Sequence, residues 1–416
     1  MTETLTDAAV RERFAGAADL VRRTVRAGDT LLYVYFIDGL TAAGDIAGWV
    51  LRPLARLGGG TAEELYRSAL EGGLWAATVE RTEDLPTLTT ALLNGSCAIL
   101  FPQGKALTIE AKSDQTRSVS QPQVEATVKG AKDAFNEVLR TNTSLVRRHL
   151  RTPDLCLRQI QVGRRSGTVA TVVWVRDLTH PRLPQELTNR LEGVDIDGLL
   201  TPAAVEQYVT GAPATAFPLL LYTERPDKFA QGLLEGRVGL LVDGLPLGYL
   251  APASLSRFLA SPEDRSVGFV TAAALRGLRY AAFLAGLLLP GLYIAMASFH
   301  QEMIPTPLLL AVIESKQSVP FPTAMEVLGL LVSFELLQEA GLHLPQSIGQ
   351  SVSIIGGLVV GTAAVEARLV SPAALIVVAA AGICGFTLPD QDLADAVRLW
   401  RAVLALAAAA SGLFGL

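Results

Sequence analysis

Residues in the last third of the chain have types and a spacing that could gate ions. On a helix they fall on one stripe at alternating four- and three-residue steps, with polar side chains at its ends and apolar ones in its middle. The stripe consists of Ser347, Ser351, Ile355, Leu358, Thr362 and Glu366. In a ring of such helices, Ile355 and Leu358 would form a dry constriction that gates by dewetting. We therefore predict a pore stripe over Ser351, Ile355, Leu358 and Thr362.

Two glycines stand beside this stripe. Gly357 and Gly361 form a small-xxx-small pair, which lets neighbouring helix backbones approach closely. Because a single bundle of short spans offers no obvious central path, we expect the chain to form a homo-oligomer through such contacts. The alternative for the whole run is an ordinary packed helix, whose Ser and Thr hydroxyl groups bond to their own backbone.

Carboxylates form the second candidate set. Glu326, Glu335 and Glu339 interrupt the otherwise apolar stretch from Pro322 to Ala340, and the last two share one helical face. Carboxylates inside a membrane are costly and usually face a cavity or a partner. The hypothesis is that they attract cations. An interfacial amphipathic helix explains them equally well.

Patterns that indicate catalysis or metal binding are missing from the sequence. It contains no GxxxxGK[ST], HExxH or GxSxG motif, and its four histidines lie in unrelated contexts. Its three cysteines are scattered without CxxC spacing, and the net charge of −5 comes without a long basic run. We predict a protein that is not an enzyme, holds no metal or cofactor and does not bind nucleic acid.

The elements that carry these residues are membrane helices. The first apolar run holds twenty residues without a charge, enough to cross a hydrocarbon core of roughly 30 Å. Four such runs occur, over Tyr280 to Phe299, Ile348 to Val365, Ser371 to Pro389 and Ala402 to Leu416. Met303 to Ile313 is also apolar but too short to span unless it re-enters. A multi-pass domain of about four to five helices over residues 276–416, in contact with lipid, is predicted.

The charges around the first run predict its orientation. The chain starts with a charged segment and not with a cleavable signal. Arg276 and Arg279 precede the run, and no Lys or Arg occurs from His300 to Met303. By the positive-inside rule, the region before the run lies on the cytoplasmic side.

The region before residue 275 has the composition of soluble α/β structure. Apolar runs of four to eight residues are bounded by Gly, Pro and Asp. We predict two α/β subdomains, over residues 1–152 and 153–268. Local signals include a capping box at Thr61 and Glu64, a β-hairpin turn at Asp243-Gly244 and a helix over Lys132 to Leu150.

The block Thr223 to Asp227 predicts a loop or strand end. Pro226 restricts Arg225 to an extended backbone, which would present Glu224 and Arg225. The simplest interpretation is a surface ion pair near a domain joint.

Several segments, taken in order, resemble the A subunits of bacterial spore germinant receptors, the GerA family. The soluble segments are YFIDGL (35–40), QPQVEATVKGAKDAFNEVLRTNTSLVRRHL (121–150), VGRRSGT (162–168) and ERPDKFAQGLLEGRVGLLVDGLP (224–246). The later segments are LLPGLYIA (288–295), EAGLHLPQSIGQSVSIIGGLVVGTAAVEARLVSP (339–372) and FTLP (386–389). Their order and spacing make the resemblance more specific than any short motif.

The resemblance implies a multi-pass protein of the inner spore membrane with its N-terminal region on the spore-core side. It implies a permease-like B subunit and a lipoprotein C subunit as partners, and an oligomeric ligand-gated channel that converts nutrient binding by the B subunit into ion release. The alternative is an accessory A-like scaffold of the germination apparatus without a nutrient partner. A secondary transporter is a further alternative, although we see no inverted repeats.

The sequence departs from the family pattern at three places. The arginine stretch before the first span is less basic than usual, and Ala131 and Lys132 replace a Pro-Arg pair. Family members also continue past the last apolar run with a polar tail, whereas this sequence stops at Leu416. A shortened product or a divergent member is the expectation.

Overall fold

The computed structural model describes residues 5–58, 60–113, 122, 125, 130–211, 215–342 and 361–416. The chain divides into two compact units. The α/β unit comprises Met1–Pro213 and Leu219–Ala253, and the helical unit comprises Ala214–Pro218 and Ser254–Leu416. The predicted order of an α/β region followed by an α-helical region is confirmed.

The first sheet of the α/β unit has five antiparallel strands in the order β1-β2-β4-β5-β3. They are β1 (Leu20–Ala27), β2 (Thr30–Ile37), β3 (Val79–Thr82), β4 (Ser96–Leu100) and β5 (Ala106–Glu110). The accompanying helices are α1 (Asp7–Arg13), α2 (Ala43–Asp45), α3 (Arg52–Arg56), α4 (Ala62–Ser68) and α5 (Leu85–Leu93), with π-helical turns at Ile46–Leu51 and Ala69–Gly73.

Alternation along the strands places a core on each face of this sheet. Val34 and Ile99 pack with α3 and α4, whereas the next residues, Tyr35 and Leu100, pack with α1 and α5. The predicted capping box of α4 is confirmed, since the Thr61 backbone N–H donates to Glu64 Oε2 at 2.9 Å and Thr61 Oγ1 accepts from the Glu64 N–H at 3.4 Å.

The second sheet has five antiparallel strands in the order β6-β7-β9-β10-β8. They are β6 (Leu155–Val162), β7 (Thr168–Val175), β8 (Leu221–Thr223), β9 (Val238–Val242) and β10 (Gly248–Ala251). The helices are α6 (Leu139–His149), α7 (Arg182–Glu192), α8 (Pro202–Thr210) and α9 (Pro226–Leu234). The predicted hairpin is confirmed, with Gly244 at φ 83° in the turn between β9 and β10.

The predicted helix over Lys132 to Leu150 is wrong in its first part, because α6 begins only at Leu139. The residues before α6 make hydrogen bonds of a different kind from those of a helix. The Phe135 N–H donates to the Glu224 carbonyl at 2.7 Å, and the Asn136 N–H donates to Asn142 Oδ1 at 2.9 Å. These bonds replace the intrahelical ones that the composition favours.

The helical unit contains α10 (Leu255–Phe258), α11 (Phe269–Ser298), α12 (Thr306–Lys316), α13 (Thr323–Leu342), α14 (Pro372–Phe386) and α15 (Gln391–Ser411). Residues 361–366 are also helical. Its core joins α11, α13, α14 and α15 through Ile294, Val327, Val378 and Ala405. Within this unit, the Phe217 ring stacks on the Trp400 ring of α15, with centroids 5.9 Å apart and planes 13° from parallel.

Two of the described helices are long and apolar enough to cross a membrane, by length and composition. They are α11 and the last helix, taken over Gln391–Phe414. The run from Ser371 to Pro389 forms the shorter apolar helix α14. The short apolar stretch after Met303 forms α12, whose eleven described residues include no buried one.

Candidate functional site

Most of the predicted pore stripe, including Ser351, Ile355 and Leu358, lies outside the described residues. Gly357 lies outside them as well. Thr362, which is exposed, and Gly361 fall in the helical residues 361–366. Gly361 is buried, and a β carbon at this position would lie 3.4 Å from a methyl group of Leu375 in α14. This glycine thus brings its backbone close to a helix of the same chain. Its role in contacts between copies stays a prediction.

Glu326 is buried where two helices begin. It lies in the first turn of α13, and its Oε2 accepts from the Ser371 backbone N–H at 2.9 Å. Ser371 is the N-cap of α14, and its Oγ accepts from the Ala374 N–H. The carboxylate therefore lies at the N-terminal ends of α13 and α14, where the exposed N–H groups carry partial positive charge.

The second carboxylate oxygen of Glu326 has an electrostatic partner but accepts no hydrogen bond from a described residue. Its Oε1 lies 3.6 Å from Lys316 Nζ, and no described residue hydrogen-bonds to it. The Lys316 ammonium donates instead to the Thr323 hydroxyl group. Because Lys316 is the last residue of α12, this cation ties α12 to the start of α13.

Glu335 binds two arginines of α15. Its Oε1 accepts from Arg401 Nη2 at 2.7 Å, and its Oε2 accepts from Arg398 Nε at 2.6 Å. Arg398 also binds Asp395 at 2.8 Å. Arg401 is 2% exposed and donates to the Ala381 carbonyl as well. The four formal charges sum to zero, so α13 and α15 are joined by a balanced network.

Sequence reasoning did not find this network. A signal was present, since Arg398 and Arg401 are three residues apart and so share a face of a largely apolar helix. Glu339 lies near the end of α13 and is exposed. The described residues contain no group of three or more potential metal ligands. The cation-attracting role of the three acids stays a prediction.

The block around Arg225 is buried, contrary to the surface ion pair that the sequence suggested. Arg225 is 2% exposed and donates from Nε and Nη2 to Asp227, at 3.0 and 2.7 Å. Its Nη1 donates to the Glu125 carbonyl at 3.3 Å. The Glu125 carboxylate in turn accepts from Thr223 and Lys228. Because α9 begins at Pro226, these groups cluster at its N-terminus.

Two further ionic contacts surround α6. The Arg147 guanidinium is 1% exposed and binds Asp19 through Nε and Nη2, both at 2.7 Å. His149 lies 2.8 Å from Asp133 at the helix C-terminus. This hydrogen bond raises the pKa of His149 and lowers the pKa of Asp133. Both shifts favour the charged pair, which also suits the negative end of the helix dipole.

Comparisons with known proteins place the chain in a family. The family model described as Bacillus/Clostridium GerA spore germination protein matches residues 8–416. Spore germination protein KA of Bacillus subtilis (strain 168) is 34% identical over 414 residues, which cover 98% of this chain and 76% of that protein. The membrane protein YfkQ of the same organism is 33% identical over 404 residues, covering 96% and 78%.

A solved structure is also similar. The crystal structure of the N-terminal domain of the A subunit of the Bacillus megaterium spore germinant receptor GerK3 is 26% identical, with a TM-score of 0.48. The matched region covers 61% of this chain and 98% of that domain. From the family model and the full-length relatives, the chain belongs to the GerA family of spore germination proteins.

Proposed function

We propose that this chain is the A-type subunit of a nutrient germinant receptor in the inner spore membrane. In this proposal it is a multi-pass protein that oligomerises as a ligand-gated ion channel. A permease-like B subunit binds the nutrient and a lipoprotein C subunit completes the receptor. The A subunit converts nutrient binding into ion release. Residues 1–152 and 153–268 are the soluble subdomains, and residues 276–416 are the membrane domain.

The charge network of the helical unit carries this proposal. Charged side chains are rare in membrane helices, and they usually face the bundle interior or a water-filled cavity. Glu335 with Arg398 and Arg401, and Glu326 with Lys316, are ionic contacts of this kind. Family membership supports a role in spore germination, and the apolar helices α11 and α15 support the membrane location.

The gate is proposed to lie at Ile355 and Leu358 in the stripe from Ser351 to Thr362. Replacing Leu358 by Ser should lower the barrier to wetting and favour a leaky state. The measurements are the ion loss from spores without nutrient and the amount of protein in the spore membrane. We expect ion loss at a normal protein level.

A matched variant separates gating from packing. Val360→Ser makes a similar change two residues along the predicted helix, away from the stripe, and should not cause a leak. If Leu358 is only packed, its replacement removes a buried side chain, costs about 2 to 5 kcal/mol and lowers the protein level. A Leu358→Ser protein at a normal level without ion loss would contradict the gate assignment.

A further inference from the structure

The Glu326 carboxylate is completely buried, whereas its partner Lys316 is partly exposed. The Glu326 side chain is 0% exposed, whereas the side chain of Lys316 is 31% exposed. The Lys316 ammonium is carried on a four-carbon stem from α12, a helix whose described residues are all at least partly exposed. The Lys316 ammonium, which balances the charge of Glu326, is therefore the member of the pair that another cation could replace.

The contact itself is also incomplete. At 3.6 Å, Lys316 Nζ is too far from Glu326 Oε1 for a hydrogen bond, and no other described group donates to this oxygen. A buried carboxylate oxygen without a donor is unfavourable, so the position in front of Oε1 suits a cation. The Thr323 hydroxyl oxygen, which accepts from Lys316, is a second oxygen beside the same ammonium group.

We propose that Glu326 Oε1 and the Thr323 hydroxyl group form a binding site for one monovalent metal cation, with the Lys316 ammonium as its tethered occupant. When the ammonium moves away, Na⁺ or K⁺ takes its place. Hard oxygen ligands suit these ions. A single carboxylate balances one positive charge, and the described residues contain no group of three ligands that would suit a divalent ion.

This site deepens the proposed function, because a cation that exchanges with Lys316 would change what holds α12 to the start of α13. Binding itself can be tested without any channel assay. The full-length protein in detergent is compared in potassium chloride, sodium chloride and choline chloride at equal ionic strength, with the thermal unfolding midpoint as the readout.

The informative variant is Lys316→Met, which removes the tethered ammonium. Its midpoint should rise by about 3 °C for each tenfold increase of potassium or sodium above the dissociation constant, and choline should have no effect. The double variant Lys316→Met with Glu326→Gln should lose this dependence. Lys112→Met, which breaks the exposed pair with Glu110, is the matched control and should show none.

Two outcomes would overturn the site. One is a Lys316→Met protein whose midpoint is the same in potassium, sodium and choline. The other is a midpoint that rises only with falling pH, equally in all three salts, which would assign the position to a proton. If Lys316→Met does not fold, the comparison is made between Lys316→Gln and Glu326→Gln. A midpoint that potassium raises in Lys316→Gln but not in Glu326→Gln supports the site. An equal rise in both variants contradicts it. Either failure leaves the channel proposal intact, because that proposal is tested by ion loss in Leu358→Ser.

Discussion

Three arginines that are at most 2% exposed bind carboxylates, two of them in the α/β unit and one in the helical unit. Arg147 and Arg225 each bind one carboxylate through two nitrogens, and Arg401 shares Glu335 with Arg398. The planar guanidinium suits such fork-shaped contacts better than an ammonium. A buried pair of this kind is worth little relative to an apolar pair, but removal of one partner leaves an uncompensated charge.

Glu335→Gln should therefore destabilise the helical unit. The substitution preserves shape but leaves the buried Arg401 guanidinium without its countercharge. Losing one partner of a fully buried pair costs about 3 to 5 kcal/mol, and the partial exposure of Glu335 lowers our expectation to about 2 kcal/mol. Thermal unfolding of the full-length protein in detergent measures the change.

Glu314→Gln is the matched control, since it makes the same substitution at an exposed position of α12 and should change stability by less than about 0.5 kcal/mol. Adding Arg401→Met to Glu335→Gln should restore part of the loss, because the orphaned charge is removed. Equal losses for Glu335→Gln and Glu314→Gln would show that the network does not stabilise the unit.

Sequence reasoning identified charged residues better than it placed them. Glu326 and Glu335 were recognised as unusual because apolar residues surround them, which is a local signal. Their partners Ser371, Lys316 and Arg401 could not be assigned, since helix packing in three dimensions brings them together. Arg225 was expected in a surface ion pair, but it is buried, and Asp227 and the Glu125 carbonyl satisfy it in the interior.

At the scale of elements, a small residue lets two helices of the helical unit meet. Gly382 of α14 is buried against Phe334 of α13, and an added β carbon would lie 2.7 Å from the ring. The ring also contacts Phe386 edge to face, with centroids 6.3 Å apart. The contact between α13 and α14 thus depends on the absence of a side chain at this position.

Gly382→Ala should destabilise the protein by about 1 to 3 kcal/mol, because the methyl group overpacks the interface with Phe334. Gly385→Ala is the matched control on the same helix. A β carbon there has no described neighbour within 4 Å, so this variant should be neutral or slightly stabilised by the better helix propensity of alanine. Unfolding midpoints in detergent compare the two, and a Gly382→Ala protein as stable as Gly385→Ala would contradict this packing.

Elements that depend on local chemistry were predictable, and those set by distant contacts were not. The capping box at Thr61 and the Asp243-Gly244 hairpin need only neighbouring residues, and both are confirmed. The start of α6 was misplaced by seven residues, from Lys132 to Leu139, because the Glu224 carbonyl and the Asn142 side chain bind the preceding backbone. Such bonds leave no local trace in the sequence.

For the whole molecule, the predicted orientation in the membrane rests on Arg276 and Arg279, which lie in the N-terminal part of α11, before its uncharged run. Arg279 and Arg276 bind Asp264, at 2.8 and 3.5 Å, so part of their charge is balanced locally. The positive-inside rule counts Lys and Arg, and acidic residues contribute little to it. The orientation prediction therefore stands unchanged by these ion pairs.

A reporter enzyme inserted after Glu235, the exposed C-cap residue that follows α9, should be active only on the cytoplasmic side. The reporter's activity in intact cells and in cells opened to the outside measures this. The same reporter fused after a secretory signal is the control for activity on the outer side. Activity of the Glu235 fusion outside the cell would reverse the proposed topology.

The stacking of Phe217 on Trp400 has a consequence for exchanging parts between family members. Phe217 precedes the residues 219–253 in the chain, yet it is grouped with the helices. A hybrid joined near Ala253 would take Phe217 from one parent and Trp400 from the other. Such hybrids should work best when both parents carry an aromatic pair at these two positions, so compatibility will follow this pair more closely than overall identity.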